Sequence, residues 1–350
     1  MNDFKTTTID RNNNFDFLRI LFSSLVIFSH SYPLTYTLFK KKEILSSVTN
    51  NQIDFGSLAV DSFFIISGYL VFISLKNSKT WVNYLWKRIL RLFPGLIVLL
   101  LITIAIIPLF YSGNNIFLEK TYWTYVPSNL TLLRTQYEVN GVFENNPFPK
   151  SINGSLWSLP YEFSMYFFLL VLFRLRNDKI LFAVILTSFC TAYILYVTKS
   201  TFLEEYLVKI LLHSKEMYRL AAFFLAGSVL TFLNLKKIAS YKTIVPIFLG
   251  ILVSLYFNFF SIMAPILLPF LILLIALAGT KPFNNISKPI GDISYGIYIY
   301  GFFVQQIFMY YFDLGPLTLF IVSLLVTYIL AYFSWHFVEK RALKYKNYIS

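Results

Sequence analysis

The feature that most constrains this chain is the recurrence of long apolar runs. A helix that crosses a bilayer needs roughly 20 mainly apolar residues. Ten stretches approach that length: 15–34, 56–75, 89–111, 155–174, 180–198, 216–234, 243–259, 262–280, 289–311 and 315–337. Composition agrees, with 57% of residues apolar and 13% charged. A soluble domain carries about a quarter charged residues, so this chain has too little polar surface to cover a water-exposed core. The expectation is an all-α, polytopic integral membrane protein of about ten transmembrane helices.

Two regions depart from simple spans. The run at 216–234 opens with Glu216 and Arg219. The runs 243–259 and 262–280 are split near Asn258 and Pro265, and Pro269 follows. Proline removes a helix hydrogen bond, so this region reads either as a kinked hairpin or as a broken segment. The first run lacks a small-residue cleavage site and reads as a retained span. Cys190 is the single cysteine, which excludes a disulfide framework or a cysteine metal site. No metal site is expected.

The net charge of +13 would suit nucleic acid, but its placement argues otherwise. With ten spans, 20 Lys and Arg residues fall on the side of the termini, from Lys5 and Arg11 through Arg176 to Lys346, and 10 on the other. The positive-inside rule then puts both termini in the cytoplasm. The surplus is a topology signal, and no nucleic-acid partner is needed. Two long loops, 35–55 and 112–154, fall outside. The second is rich in Asn and aromatic residues, which suits a sugar as well as it suits a plain linker.

Ionisable groups inside a span are expensive and mark function by default. In the first span Arg19 and His30 are eleven residues apart, close to three helical turns, so they share a face about 16 Å apart along the axis. Ser23 falls on the same stripe, and that face is expected to meet a polar cavity. Asp61 lies inside the second span and needs a partner, for which His30 is a candidate by depth. Ser67 and Gly68 follow it and allow close helix approach. Arg88 and Arg91 are three apart on one helix face and make a fork for phosphate oxygens. Trp157 and Glu162 open the fourth span; a buried carboxylate there must be paired, protonated or catalytic. Gly291-Asp292-Ile293-Ser294-Tyr295 starts the ninth. His213 and His336 lie outside the deep parts of the spans and read as structural.

In order, these segments resemble the bacterial membrane acyltransferase-3 family, the O-antigen, capsule and Nod-factor type of O-acyltransferase. The resemblance runs over nearly the whole chain. It is carried by Arg19 and His30, by Phe63-Phe64 with Ser67-Gly68, by Arg88 and Arg91, by Leu156 to Glu162, and by Ser294, Tyr295 and Tyr298. Two motifs depart. Many relatives have His-x-Pro where this chain has Gly301 and Phe303, and Val-Glu-Arg-Pro where it has Val338 to Arg341.

The resemblance implies an acyltransferase of groups other than aminoacyl groups, an O-acetyltransferase. It implies acyl-CoA, most simply acetyl-CoA, as cytoplasmic co-substrate, and no permanently bound cofactor. The acceptor is a hydroxyl of a cell-surface carbohydrate or its lipid-linked precursor. The location is a bacterial inner membrane, and the expectation is one membrane-embedded domain over 1–350 without an appended soluble domain. Arg19, Arg88 and Arg91 are expected to hold the CoA phosphates. His30 acts as general base or acyl acceptor, with Glu162 orienting it or moving the proton. Asp61, Ser67, Gly68, Trp157 and Tyr295 support the site. The competing expectation is a transporter or flippase of a lipid-linked glycan, which the intramembrane Arg, His and Glu and the 258–269 break would also fit. Against it, the second half of the chain does not resemble the first.

Overall fold

The structure is a computed structural model that describes residues 12–175, 177–281 and 283–349. Lys5, Arg11 and Arg176, three cations of the charge count, lie outside the described residues. The described chain is helical; among the described residues β pairing is confined to two isolated bridges, Tyr111 with Val142 and Glu138 with Ser151.

The main helices are α1 (Phe15–Phe39), α2 (Phe55–Lys76), α3 (Trp81–Ile106), α4 (Lys120–Leu130), α5 (Leu159–Val171), α6 (Asp178–Thr198), α7 (Ser214–Val229), α8 (Tyr241–Tyr256), α9 (Phe260–Ala278), α10 (Ser294–Tyr311) and α11 (Pro316–Ser334). Each apolar run of the sequence is helical. Seven of the described helical segments are long and apolar enough to cross a membrane: 15–39, 55–76, 81–110, 154–174, 178–198, 260–278 and 316–347. The helices α7 and α8 are 16 residues each, shorter than a full span.

Local chemistry sets several starts. Asp54 caps α2 by accepting from the Ser57 amide, and Thr80 caps α3 by accepting from the Asn83 amide. Asn153 caps the turn that leads into α5. The uncertain region at 243–280 is a hairpin of two helices. Its turn is made at Asn258, which takes a left-handed conformation, φ +60°. Pro265 and Pro269 lie inside a continuous α9.

The helix α1 packs against α2, α10 and α11, and α2 packs against α7. The α2–α7 crossing depends on missing side chains. A Cβ on Gly68 would stand 1.9 Å from the Phe224 carbonyl oxygen, and one on Gly227 would stand 2.2 Å from that of Ile65. This is the close approach expected of Ser67-Gly68.

The long loop at 112–153 is a packed element. It contains α4 and buries Val139, Val142, Phe143 and Ile152. The Asn146 side chain donates to Gln306 of α10 at 2.8 Å, and the Gln306 amide donates back to the Phe148 and Ser151 carbonyls. The loop is thereby fixed over one end of the bundle, the loop end. Arg19, Arg88, Arg91 and Asp292 lie towards the other, the basic end.

Candidate active site

Two cavities face α1. The first, of about 120 Å³, is lined by Arg19, Arg88, Arg91, Ser67, Glu162 and Tyr295, with Val60 and Ser158 in its wall. The second, of about 620 Å³, is lined by His30, Glu43, Asp54, Phe148 and Trp157, again with Val60. The two share Val60, and the consecutive residues Trp157 and Ser158 line one each. Thus α1 carries a guanidinium into the arginine cavity and an imidazole into the histidine cavity, about 16 Å apart along its axis.

In the arginine cavity the three guanidiniums are held differently. Arg19 and Arg91 both donate to the same oxygen of Asp292, each at 2.9 Å. The other Asp292 oxygen accepts from the Ser294 hydroxyl at 2.8 Å. Arg19 also pairs with Asp16 one turn earlier on α1. Arg88 has no carboxylate partner among the described residues. It donates to the Ser74 hydroxyl at 3.3 Å, lies over the Tyr166 ring at 5.8 Å, and leaves its buried Nε without a hydrogen-bond partner. Tyr295 donates to the Leu92 carbonyl at 2.8 Å and carries the Arg91 guanidinium over its ring.

Glu162 belongs to this cavity. Its Oε1 accepts from Ser67 at 2.9 Å and from Tyr166 at 2.5 Å. In the wall of the same cavity the hydroxyls of Ser158 and Tyr298 share a 2.6 Å hydrogen bond, buried on both sides.

In the histidine cavity the His30 ring stands edge-on to Phe302 at 5.2 Å, and its buried Nδ1 has no hydrogen-bond partner. Glu43 accepts from the Ser29 hydroxyl and from the Phe55 amide, each at 2.6 Å, so it ties α1 to the start of α2. Trp157 packs edge-on to Tyr161 at 5.8 Å.

Several sequence expectations are corrected by these contacts. Asp61 does not serve His30: it pairs with Arg219 of α7 at 2.9 Å, and Arg219 also holds Glu216 at 2.6 Å. That triad explains how α7 carries two charges at its start. Glu162 does not orient His30 either, since its bonds go to Ser67 and Tyr166 in the other cavity. Ser23 is fully buried and returns its hydroxyl to the Arg19 and Ile20 carbonyls, so it lines neither cavity. Gly301, for which the sequence suggests no role, stands where a Cβ would meet the Ile27 side chain of α1 at 2.6 Å, so a larger residue there would displace Ile27.

Sequence reasoning missed Glu43 and Asp54, both in a loop that showed no motif, and Tyr166, whose role depends on Glu162 one turn before it. His213 pairs with Glu204 at 2.9 Å and His336 lies against Tyr332, both away from the cavities. Among the described residues no group of three or more His, Cys, Asp or Glu side chains could hold a metal ion.

Comparison with known proteins reaches the same segments. The chain is 26% identical over 340 residues to an O-acetyl transferase of Shigella phage Sf6, covering 95% of this chain and 96% of that protein. It is 28% identical over 172 residues to nodulation protein 10 of Rhizobium leguminosarum bv. viciae, covering 44% of this chain and 42% of that one. No solved structure matches significantly. The family described as "Acyltransferase domain", acyltransferase-3, matches residues 12–336, so Arg19, His30, the arginine pair and Glu162 all fall inside it, and the chain belongs to that family of acyltransferases.

Proposed function

We propose that the chain is a membrane O-acyltransferase that moves an acyl group, acetyl in the simplest case, from acyl-CoA to a hydroxyl of a cell-surface carbohydrate or its lipid-linked precursor. The observation that carries this reading is α1 itself, with Arg19 in one cavity and His30 in a second that shares a wall with the first. Membership of an acyltransferase family favours it over the transporter reading. The relative named an O-acetyl transferase favours acetyl and an oxygen acceptor.

The residues divide the work by end. Arg88, Arg19 and Arg91 receive the anionic phosphates of the donor at the basic end, which in this reading faces the cytoplasm, as its surplus of Lys and Arg favours; a bacterial inner membrane is what the family resemblance suggests. At about 120 Å³ the arginine cavity is far smaller than the roughly 300–1,000 Å³ of a small-molecule pocket. It suits the slender pantetheine arm, with the nucleotide left at the mouth. Ser67, Glu162 and Tyr166 line its wall and offer hydrogen bonds to the amides of that arm. The sugar enters the wider histidine cavity, where Trp157 and Phe148 offer ring faces.

The transfer then runs on one proton. His30 takes it from the acceptor hydroxyl as that oxygen attacks the thioester carbonyl carbon. The new C–O bond forms, the C–S bond breaks, and the departing thiolate takes that proton from His30. The membrane domain performs both half-tasks, donor on one side and acceptor on the other.

The test is mass spectrometry of surface polysaccharide from cells expressing wild type or His30→Ala at matched membrane levels. The expected result is one added acetyl mass per modified residue, lost in the variant. Wild-type modification by His30→Ala would remove His30 from the mechanism.

A further inference from the structure

Both carboxylates that the sequence offered to His30 are committed elsewhere, Asp61 to Arg219 and Glu162 to Ser67 and Tyr166. A histidine that carries a proton through a reaction inside a protein needs its charge offset. The charged groups that line the histidine cavity with His30 are Lys41, Lys42, Glu43 and Asp54. The lysines are exposed and have the wrong sign. Glu43 is 6% exposed, and each of its oxygens already accepts a 2.6 Å bond, from Ser29 and from Phe55. Its burial outweighs those bonds and pushes its carboxyl above the usual range, which disfavours it as a fixed negative charge.

Asp54 is different. It is half-buried and is the N-cap of α2, a helix of 22 residues. Its Oδ1 accepts from the Ser57 amide at 2.6 Å and its Oδ2 from the Ser57 hydroxyl at 3.1 Å. The helix N-terminus carries partial positive charge, which an acidic side chain complements there. The packing also brings it to the right place. A Cβ on Gly56 would lie 2.8 Å from the Ser29 hydroxyl oxygen and 3.2 Å from Asp54 Oδ1. The cap of α2 and the residue just before His30 therefore close on one point, with glycine between them. Asp54 and His30 line the same cavity.

We propose that Asp54 is the counter-ion of His30, a positioning residue that stabilises the imidazolium formed while His30 holds the acceptor's proton. Asp54 takes no proton itself. The proton passes from the acceptor hydroxyl to His30 and on to the thiolate, and the carboxylate acts across the cavity on the charged intermediate form. The start of α2 thus contributes to the chemistry as well as to the fold. This inference rests on the His30 role given above.

The experiment measures acyl transfer by Asp54→Asn and Asp54→Ser in detergent-solubilised or membrane-embedded full chain, with wild type and His30→Ala beside them. Asn and Ser both cap helices about as well as Asp, so both keep the local fold while removing the charge. The expected result is a fall in kcat of at least about tenfold in both variants, with the donor KM within about twofold and the thermal midpoint unchanged. Wild-type kcat in the two variants, alongside an inactive His30→Ala, would overturn the role of Asp54 and leave that of His30 standing. A loss of kcat matched by a lowered midpoint would reduce Asp54 to a structural cap and overturn the proposal too. A wild-type chain that adds no acyl group to any carbohydrate offered would overturn the functional reading and this inference with it.

Discussion

Gly68 of α2 lies against the carbonyl oxygen of Phe224 on α7, so close that a Cβ would be 1.9 Å from it. The contact is reciprocated by Gly227 against Ile65, and the Ser228 hydroxyl donates to the Gly68 carbonyl at 3.0 Å. Small residues, with one hydroxyl spanning the gap, let the two backbones touch at this crossing. Ser67, beside this crossing, points to Glu162. The same two-residue step therefore packs one side of α2 and serves the arginine cavity on the other.

Gly68→Ala forces the two helices apart, because the obstacle is backbone and cannot rotate away. Overpacking of this kind costs about 1–3 kcal/mol or more, and Gly227→Ala should behave the same. Gly315→Ala is the control, since nothing lies within 4 Å of its Cβ position. Thermal midpoints in detergent should fall for the first two and stay put for the third. Equal midpoints for all three would mean that α2 and α7 do not cross as described.

The Asp61–Arg219 pair joins the same two helices, with side chains only 5% and 12% exposed. Removing one partner of a buried ion pair leaves an uncompensated charge and costs about 3–5 kcal/mol. Arg219 keeps Glu216 as a partner, so Asp61→Asn should lower stability by less than that, while Arg219→Met, which leaves both carboxylates without it, should cost more. Unchanged stability with lost activity in Asp61→Asn would point instead to a direct role in catalysis.

Outside the spans, Glu204 is held by Ser214 and His213, which bring its carboxyl down from the ordinary 4.5 to about 2. A depressed carboxylate contributes stability that is present above its unfolded value and is lost as pH falls through its folded value. The thermal midpoint of wild type should thus drop between about pH 4.5 and pH 2 by more than that of Glu204→Gln. Parallel curves would show that the Glu204–His213 contact contributes nothing to the fold.

How much of this was legible in the sequence follows from the range of the interactions. Apolar runs and caps are local, so every apolar run proved helical, and Arg19 and His30 share a helix as their spacing required. The partner of Asp61 is 158 residues away, and no periodicity within α2 says which helix will lie beside it. Depth alone suggested His30, and depth was too coarse. Glu162 was legible as a buried acid, but which cavity it faces depends on Tyr166 and on the tilt of α5. Asp54 carries no motif, and only the fold brings the start of α2 beside Ser29. Ser23 shows the limit of a helical stripe, because its hydroxyl is satisfied by its own helix and never reaches a cavity.

Arg88 separates from its two neighbours by the company it keeps. Arg19 and Arg91 share the Asp292 carboxylate, whereas Arg88 has no carboxylate partner among the described residues and meets Ser74 and the Tyr166 ring. An incoming phosphate meets a guanidinium already neutralised in two cases and an unneutralised one in the third. Donor binding should therefore depend most on Arg88. Arg88→Ala should raise the KM for acyl-CoA by about tenfold or more, the worth of one charge-assisted hydrogen-bond pair, with the carbohydrate KM little changed. Arg88→Lys keeps the charge but loses the planar fork and should recover only part of it. Arg91→Ala should show itself first as lost stability, because it leaves Asp292 with one partner fewer. If Arg91→Ala and Arg88→Ala raise the donor KM alike at equal stability, Asp292 does not hold its arginines back from the donor, and the three guanidiniums act as one cluster.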